Sequence, residues 1–151
     1  MGTGTGTRAA VGAELELAAR LRMVVRRMDR RLRQADDQGI TPSQLSALAT
    51  IDRLGPLTLG RLASVERVQP PSMTRIVGNL EEAGLVVRQV DDQDRRVARV
   101  IPTAEGRKAL ARSRTRKNAY LARRIGGLDP REHQLVADAV EVLERLLEEE
   151  S

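Results

Sequence analysis

The apolar period of this chain switches from helical to strand-like near residue 84, and that switch limits the folds open to it. Met73, Ile76, Val77 and Leu80 fall at i, i+3, i+4 and i+7, which is one face of an α-helix. Gly84 suits the residue just past a helix end. Residues 85–90 are then rich in β-branched side chains and read as a strand. Residues 91–96 read as a polar turn, and 97–101 as a second strand. A helix that feeds straight into a β-hairpin needs something for its apolar face to pack on. The residues just upstream supply it. Thr41-Pro42-Ser43-Gln44 is a capping box with Pro at the first helical position, and Leu45, Leu48, Ala49 and Ile51 give the helix it opens a buried side. Gly55-Pro56 stops that helix. Thr58 caps a short third helix carrying Leu59, Leu62 and Ala63. A break at Arg67-Val68-Gln69 precedes Pro70-Pro71, which fit the first turn of the fourth helix. A short helix, a tight turn and a second amphipathic helix make a helix-turn-helix, and the hairpin after it makes the unit winged.

Long helices flank this unit on both sides. The first spans about residues 11–35, with an apolar seam of Ala18, Leu21, Val25, Met28 and Leu32 set among Arg20, Arg22, Arg26, Arg27, Arg30, Arg31 and Arg33. Thr103 caps a long helix running to about residue 125, and Gly126-Gly127 breaks it. Asp129-Pro130-Arg131-Glu132 is a second capping box. It opens a last helix with Leu135, Val136, Ala139, Val140, Val142, Leu143, Leu146 and Leu147 on a wide stripe. The expected fold is mainly α (α+β), a winged helix-turn-helix in the order α-α-(β)-α-α-β-β-α-α, with a minor strand near Leu57. Its segments are a flexible tail over 1–10, a dimerisation helix over 11–37, the winged module over 41–102 and C-terminal dimerisation helices over 103–151. On a monomer, the stripes of the first and last helices would leave a large exposed apolar patch, so a two-fold mate is expected to cover them.

Composition removes several function classes. The chain has no Cys, which excludes disulfides, thiolate chemistry and Cys-based zinc sites. One His and no Cys leave no nucleophile–base pair and no cofactor fingerprint, so neither an enzyme nor a cofactor is expected. Asp91, Asp92 and Asp94 lack the glycine and terminal Glu of a calcium loop, and no metal is expected. His133 and Tyr120 read as surface, core or dimer residues. With no Phe, no Trp and one Tyr, no aromatic platform exists for stacking unpaired bases. No apolar run reaches membrane-spanning length and no leader opens the chain, so a cytoplasmic protein without a membrane partner is expected.

Charge directs attention to double-stranded DNA. The net charge is +5, and 24 of the 26 basic residues are Arg. Residues 103–127 hold 8 basic and 1 acidic residue, while 128–151 hold 2 and 8. The winged segment 41–102 is nearly neutral, with 8 basic and 7 acidic residues, so binding there depends on where each charge is placed. Opposite its apolar face, the fourth helix carries Pro71, Ser72, Thr74, Arg75, Gly78 and Asn79. Arg can read guanine and Asn adenine, Ser and Thr can hold phosphate or base edges, and Gly78 removes bulk where DNA comes close. In the wing, Arg95 or Arg96 is expected to reach the minor groove and Arg88 and Arg99 the phosphates, with Asp94 pairing with a neighbouring Arg to stiffen the tip. Thr58 and Gln69 complete the candidate contacts. Glu66, Glu81 and Glu82 are expected to face away from DNA.

The pattern resembles the MarR family. The matching residues are Thr41-Pro42-Ser43-Gln44, then Leu59-x-x-Leu62-Ala63, then Pro71-Ser72-Met73-Thr74-Arg75-Ile76-Val77-x-x-Leu80-Glu81-x-x-Gly84-Leu85-Val86. Asp94-Arg95-Arg96 and Thr103-x-x-Gly106 continue the match. Pro70-Pro71 replaces the usual Ser/Thr-rich start of the recognition helix, and Gln69 is expected to stand in for the capping hydroxyl. The resemblance implies a homodimeric, sequence-specific DNA-binding regulator, by family default a repressor. It also implies a small, often anionic aromatic effector that binds between the dimer helices and the winged module and releases DNA. A protein-docking winged helix without DNA binding is the alternative, and the Arg95-Arg96 tip speaks against it.

Overall fold

The computed structural model describes residues 4–36, 39–90, 94 and 96–148. Six helices and a small sheet follow in the order α1 (Gly4–Gln34), α2 (Pro42–Leu54), β1 (Leu57–Thr58), α3 (Leu59–Glu66), α4 (Pro70–Glu82), β2 (Val86–Val90), β3 (Ala98–Pro102), α5 (Ala104–Ile125) and α6 (Pro130–Glu148). The order is the expected one, including the minor strand at Leu57. One boundary differs substantially. The tail expected over 1–10 is helical from Gly4, because extending an existing helix fixes one residue per hydrogen bond gained and tolerates weak helix formers.

The helix ends follow from local chemistry. At α2 the Thr41 hydroxyl accepts from the Gln44 N–H while the Gln44 side chain accepts from the Thr41 N–H, so both capping-box bonds are made. Helix α4 ends in a Schellman motif. The Leu85 N–H donates to the Leu80 carbonyl and the Gly84 N–H to that of Glu81, with Gly84 at φ 70°. At the head of α5 the Thr103 hydroxyl donates to the Gly84 carbonyl (2.7 Å) and accepts from the Gly106 N–H (3.0 Å). The Thr103 N–H donates to the Leu85 carbonyl. The start of α5 is therefore stitched to the turn that leads from α4 into the hairpin.

The sheet is antiparallel in the order β1-β3-β2, with Leu57 opposite Val100 and Arg88 opposite the same residue on the other side. Of β2 only Val86 is buried, and of β3 only Val100 and Pro102. The hairpin leaves the core within one or two residues and its distal half stands clear as a wing. Pro102 closes the central strand at its last position, where β1 no longer runs alongside and no ladder bond is lost on that side.

The core gathers Leu48 and Ile51 of α2, Leu62 of α3, Met73, Val77 and Leu80 of α4, Val86, Val100 and Ala109. All of it lies between residues 47 and 109. Helix α6 has no buried residue, and the large apolar side chains of α1 from Val11 to Met28 are exposed. Glu66 is fixed at the end of α3, where it accepts from the hydroxyls of Ser46 (2.6 Å) and Thr50 on α2. The side chain of Asp36, just past α1, packs against Ser113, Arg116 and Lys117 of α5.

Candidate nucleic-acid interface

The face of α4 away from the core is open. Pro71, Thr74, Arg75 and Asn79 are exposed, and Ser72 and Gly78 half-buried, while Met73, Val77 and Leu80 are buried beneath them. Arg75 and Asn79 lie four residues apart on one face. The guanidinium of Arg75 has no carboxylate partner among the described residues. Thr74 has committed its hydroxyl hydrogen to the Pro70 carbonyl (3.0 Å), so in this conformation it can accept from a ligand but not donate to a phosphate.

The helix start corrects one expectation. Gln69 is the N-cap residue, at φ −63° and ψ 139°, but its side chain makes no capping bond. Two causes act together. Gln is a methylene longer than the short polar side chains that close a capping ring. Pro70 and Pro71 also lack N–H groups, which halves the donors such a cap would serve.

Across the sheet, Thr58 lies opposite Arg99 and Gln89 opposite the same residue. The Thr58 hydroxyl accepts from the Arg61 N–H (3.2 Å) and so caps α3. Arg99 is exposed on β3. Arg88 of β2 pairs with Glu81 of α4 at 3.1 Å, which ties the base of the wing to the recognition helix. At the tip, the Asp94 carboxylate accepts from the Arg96 N–H (3.0 Å) and the Asp94 carbonyl from the Val97 N–H, a side-chain-closed turn. The Arg96 guanidinium stands 3.9 Å from the same carboxylate with its side chain 96% exposed, so almost all of it is available to a ligand. Arg95, Asp91 and Asp92 lie outside the described residues.

Charge placement explains how a nearly neutral module can present a cationic surface. Glu66 is turned to α2 by two hydroxyls and Glu81 is matched by Arg88. Arg53, Arg61, Arg67 and Arg75 have no ion pair among the described residues. Arg61 and Arg67 are exposed alongside the candidate contacts that the sequence suggests. Their signal was weak, since each stands alone on or just after a short helix.

Gly78 offers a direct probe of how close a ligand comes. A Cβ built there meets nothing within 4 Å. Gly78→Ala is therefore expected to raise stability by about 0.5–1 kcal/mol through helix propensity. Its duplex affinity is expected to fall severalfold, measured by fluorescence anisotropy. Unchanged affinity would mean that DNA does not approach this turn of α4.

The MarR family model matches residues 40–98. The uncharacterized HTH-type transcriptional regulator Mb0904 of Mycobacterium bovis is 33% identical over 138 residues, covering 91% of this chain and 96% of its own. The chain belongs to the MarR family. The HTH-type transcriptional repressor MdtR of Bacillus subtilis is 29% identical over 101 residues, 67% of this chain and 65% of its own. Among solved structures, a Pseudomonas aeruginosa protein described as a transcriptional regulator superposes with a TM-score of 0.79 at 36% identity, covering 89% of this chain and 96% of that one. This MarR-family chain is thus a winged helix-turn-helix DNA-binding transcriptional regulator. Among the described residues, no helix is long and apolar enough to cross a membrane.

Proposed function

We propose that this MarR-family regulator is a cytoplasmic repressor. It binds a near-palindromic operator as a homodimer and leaves it when a small anionic ligand binds. The observation that carries the reading is an exposed recognition helix and wing on a module whose flanking helices leave their apolar stripes uncovered. Leu135, Val136, Val140 and Leu146 of α6 and Leu21, Val25 and Met28 of α1 are all exposed in the single chain. Each such side chain contributes roughly 1.5–3 kcal/mol when fully buried, which favours a mate that covers them. A two-fold mate would set two recognition helices about 34 Å apart, one turn of duplex. The repressor MdtR, similar over two-thirds of this chain, supports the sign of regulation.

Arg75 is assigned to base reading, Arg96 to the minor groove, and Thr58, Ser72, Asn79 and Arg99 to supporting contacts. Gel shift across a salt series with a duplex selected from a random pool tests this. Arg75→Ala should weaken the selected duplex by about tenfold or more and a scrambled one far less. Arg96→Ala should weaken both alike and flatten the salt dependence. Equal losses on both duplexes for Arg75→Ala would remove its reading role. Sedimentation showing a monomer at micromolar concentration would remove the dimer.

A groove of about 660 Å³ between α2 and α5 is the place assigned to the ligand. Leu45, Ala49 and Leu110 give it apolar walls, and Arg53, Arg114 and Lys117 set three cations on its rim against the one carboxylate of Asp52, which pairs with Arg107. An aromatic carboxylate such as benzoate, titrated into the DNA complex, should release the duplex if it binds the DNA-free dimer more tightly.

A further inference from the structure

Helix α3 ends in a costly conformation. Arg67 sits at φ 53° and ψ 42°, the left-handed region, and is the one non-glycine residue at positive φ among the described residues. The Arg67 N–H donates to the Ser64 carbonyl and the Val68 N–H to that of Ala63, the paired bonds of a Schellman end in which glycine is the favoured residue. A Cβ is disfavoured there, and only short polar side chains recover part of the loss locally. Arginine recovers none of it. Its side chain is exposed and has no hydrogen bond or ion pair among the described residues.

The neighbours of Arg67 are both engaged inward. Glu66 is held by Ser46 and Thr50 of α2, and Val68 packs on the core. The cation between them is left on the outside of the turn that enters the recognition helix, on a module where the carboxylates of Glu66 and Glu81 are already engaged. The recognition helix then begins with two prolines, so its first two positions offer no N–H to a phosphate. We propose that Arg67 is a DNA-phosphate contact that clamps the start of the recognition helix to the duplex backbone. Its guanidinium supplies at this turn the donors that the two prolines withhold. The strain fits this role, because sparsely populated backbone states cluster at ligand-binding and switch sites. The inference rests on the DNA-binding reading and extends its contact surface to the turn between α3 and the recognition helix.

Arg67→Gly tests it, because strain and charge act in opposite directions. Thermal unfolding of Arg67→Gly should move up by a few degrees, while affinity for a duplex selected from a random pool should fall about tenfold. Loss of one phosphate contact should also reduce the log–log salt slope by about one, and a scrambled duplex should lose equally. Arg67→Lys, which keeps the charge, should recover the slope. Wild-type affinity and slope in Arg67→Gly would overturn the proposal, as would weaker binding with an unchanged slope, which would mark the turn geometry rather than the cation. Wild-type protein that binds no duplex at all would count against the DNA reading itself, a separate outcome from failure of the variant alone.

Discussion

Gly106→Ala is expected to destabilise the fold by about 3 kcal/mol or more. A Cβ built on Gly106 would lie 2.1 Å from the Leu85 carbonyl oxygen and 3.2 Å from Cδ1 of Leu48. The second contact can yield by a small side-chain shift. The first cannot, because the Leu85 oxygen belongs to the backbone and already accepts from the Thr103 N–H. To admit one methyl group, α5 must move off the α4–β2 turn. That motion also breaks the bonds that Thr103 donates to the Gly84 and Leu85 carbonyls. Urea unfolding at fixed protein concentration measures the loss, and the thermal midpoint should fall by on the order of 10 °C. Gly60→Ala is the control. It sits in α3 with nothing within 4 Å of its Cβ and should be neutral or stabilising by up to about 1 kcal/mol. A Gly106→Ala protein as stable as wild type would mean that α5 does not start against Leu85, and the seating of the wing would need revision.

Thr103-x-x-Gly106 was visible in the sequence as a motif, but its reason was not. A cap threonine reports only that a helix begins. The clash that demands glycine depends on the Leu85 carbonyl, which the fold brings in from another element. The same division runs through the molecule. Thr41 with Gln44, Thr58 with Arg61, and Gly84 at the end of α4 act within a few residues, so spacing alone placed them. Gln69 failed as a cap because capping needs a shorter polar side chain, and two prolines had removed half of the donors it would have served. Arg88 carried the right charge for a phosphate, yet Glu81 lies across from it once β2 folds back along α4, and no periodicity in either element reveals that pairing. The wing tip was legible because Asp94, Arg96 and Val97 form one local turn. The Glu66 bonds to Ser46 and Thr50 span 16 to 20 residues, and only the packing of α3 on α2 creates them.

Asp36 is the furthest such case, and its removal carries the second large expectation. The sequence marks it only as part of a polar stretch that ends the first helix. In the fold its side chain is 5% exposed and faces α5, some 80 residues away in sequence. It accepts from the Ser113 hydroxyl and from Nε of Arg116 (3.2 Å), with Nζ of Lys117 at 3.6 Å. Asp36→Ala leaves the buried Ser113 hydroxyl without its acceptor and two cations without their counter-charge. Breaking a fully buried pair costs roughly 3–5 kcal/mol. Arg116 and Lys117 are 41% and 29% exposed and can turn to water, so about 2–3 kcal/mol is expected here. Asp36→Asn still accepts from Ser113 and should lose about half as much. The consequence for DNA follows from position. Asp36 is the point where α1, one of the helices assigned to the dimer, is anchored to α5 beside the winged module. Loosening it should widen the spread of distances between the two recognition helices. Affinity for a full operator, which requires one spacing, should then fall by about tenfold, while affinity for an isolated half-site stays near wild type. Equal losses on both duplexes would show that Asp36 supports only the fold of each subunit, and that the spacing of the two readers is set elsewhere.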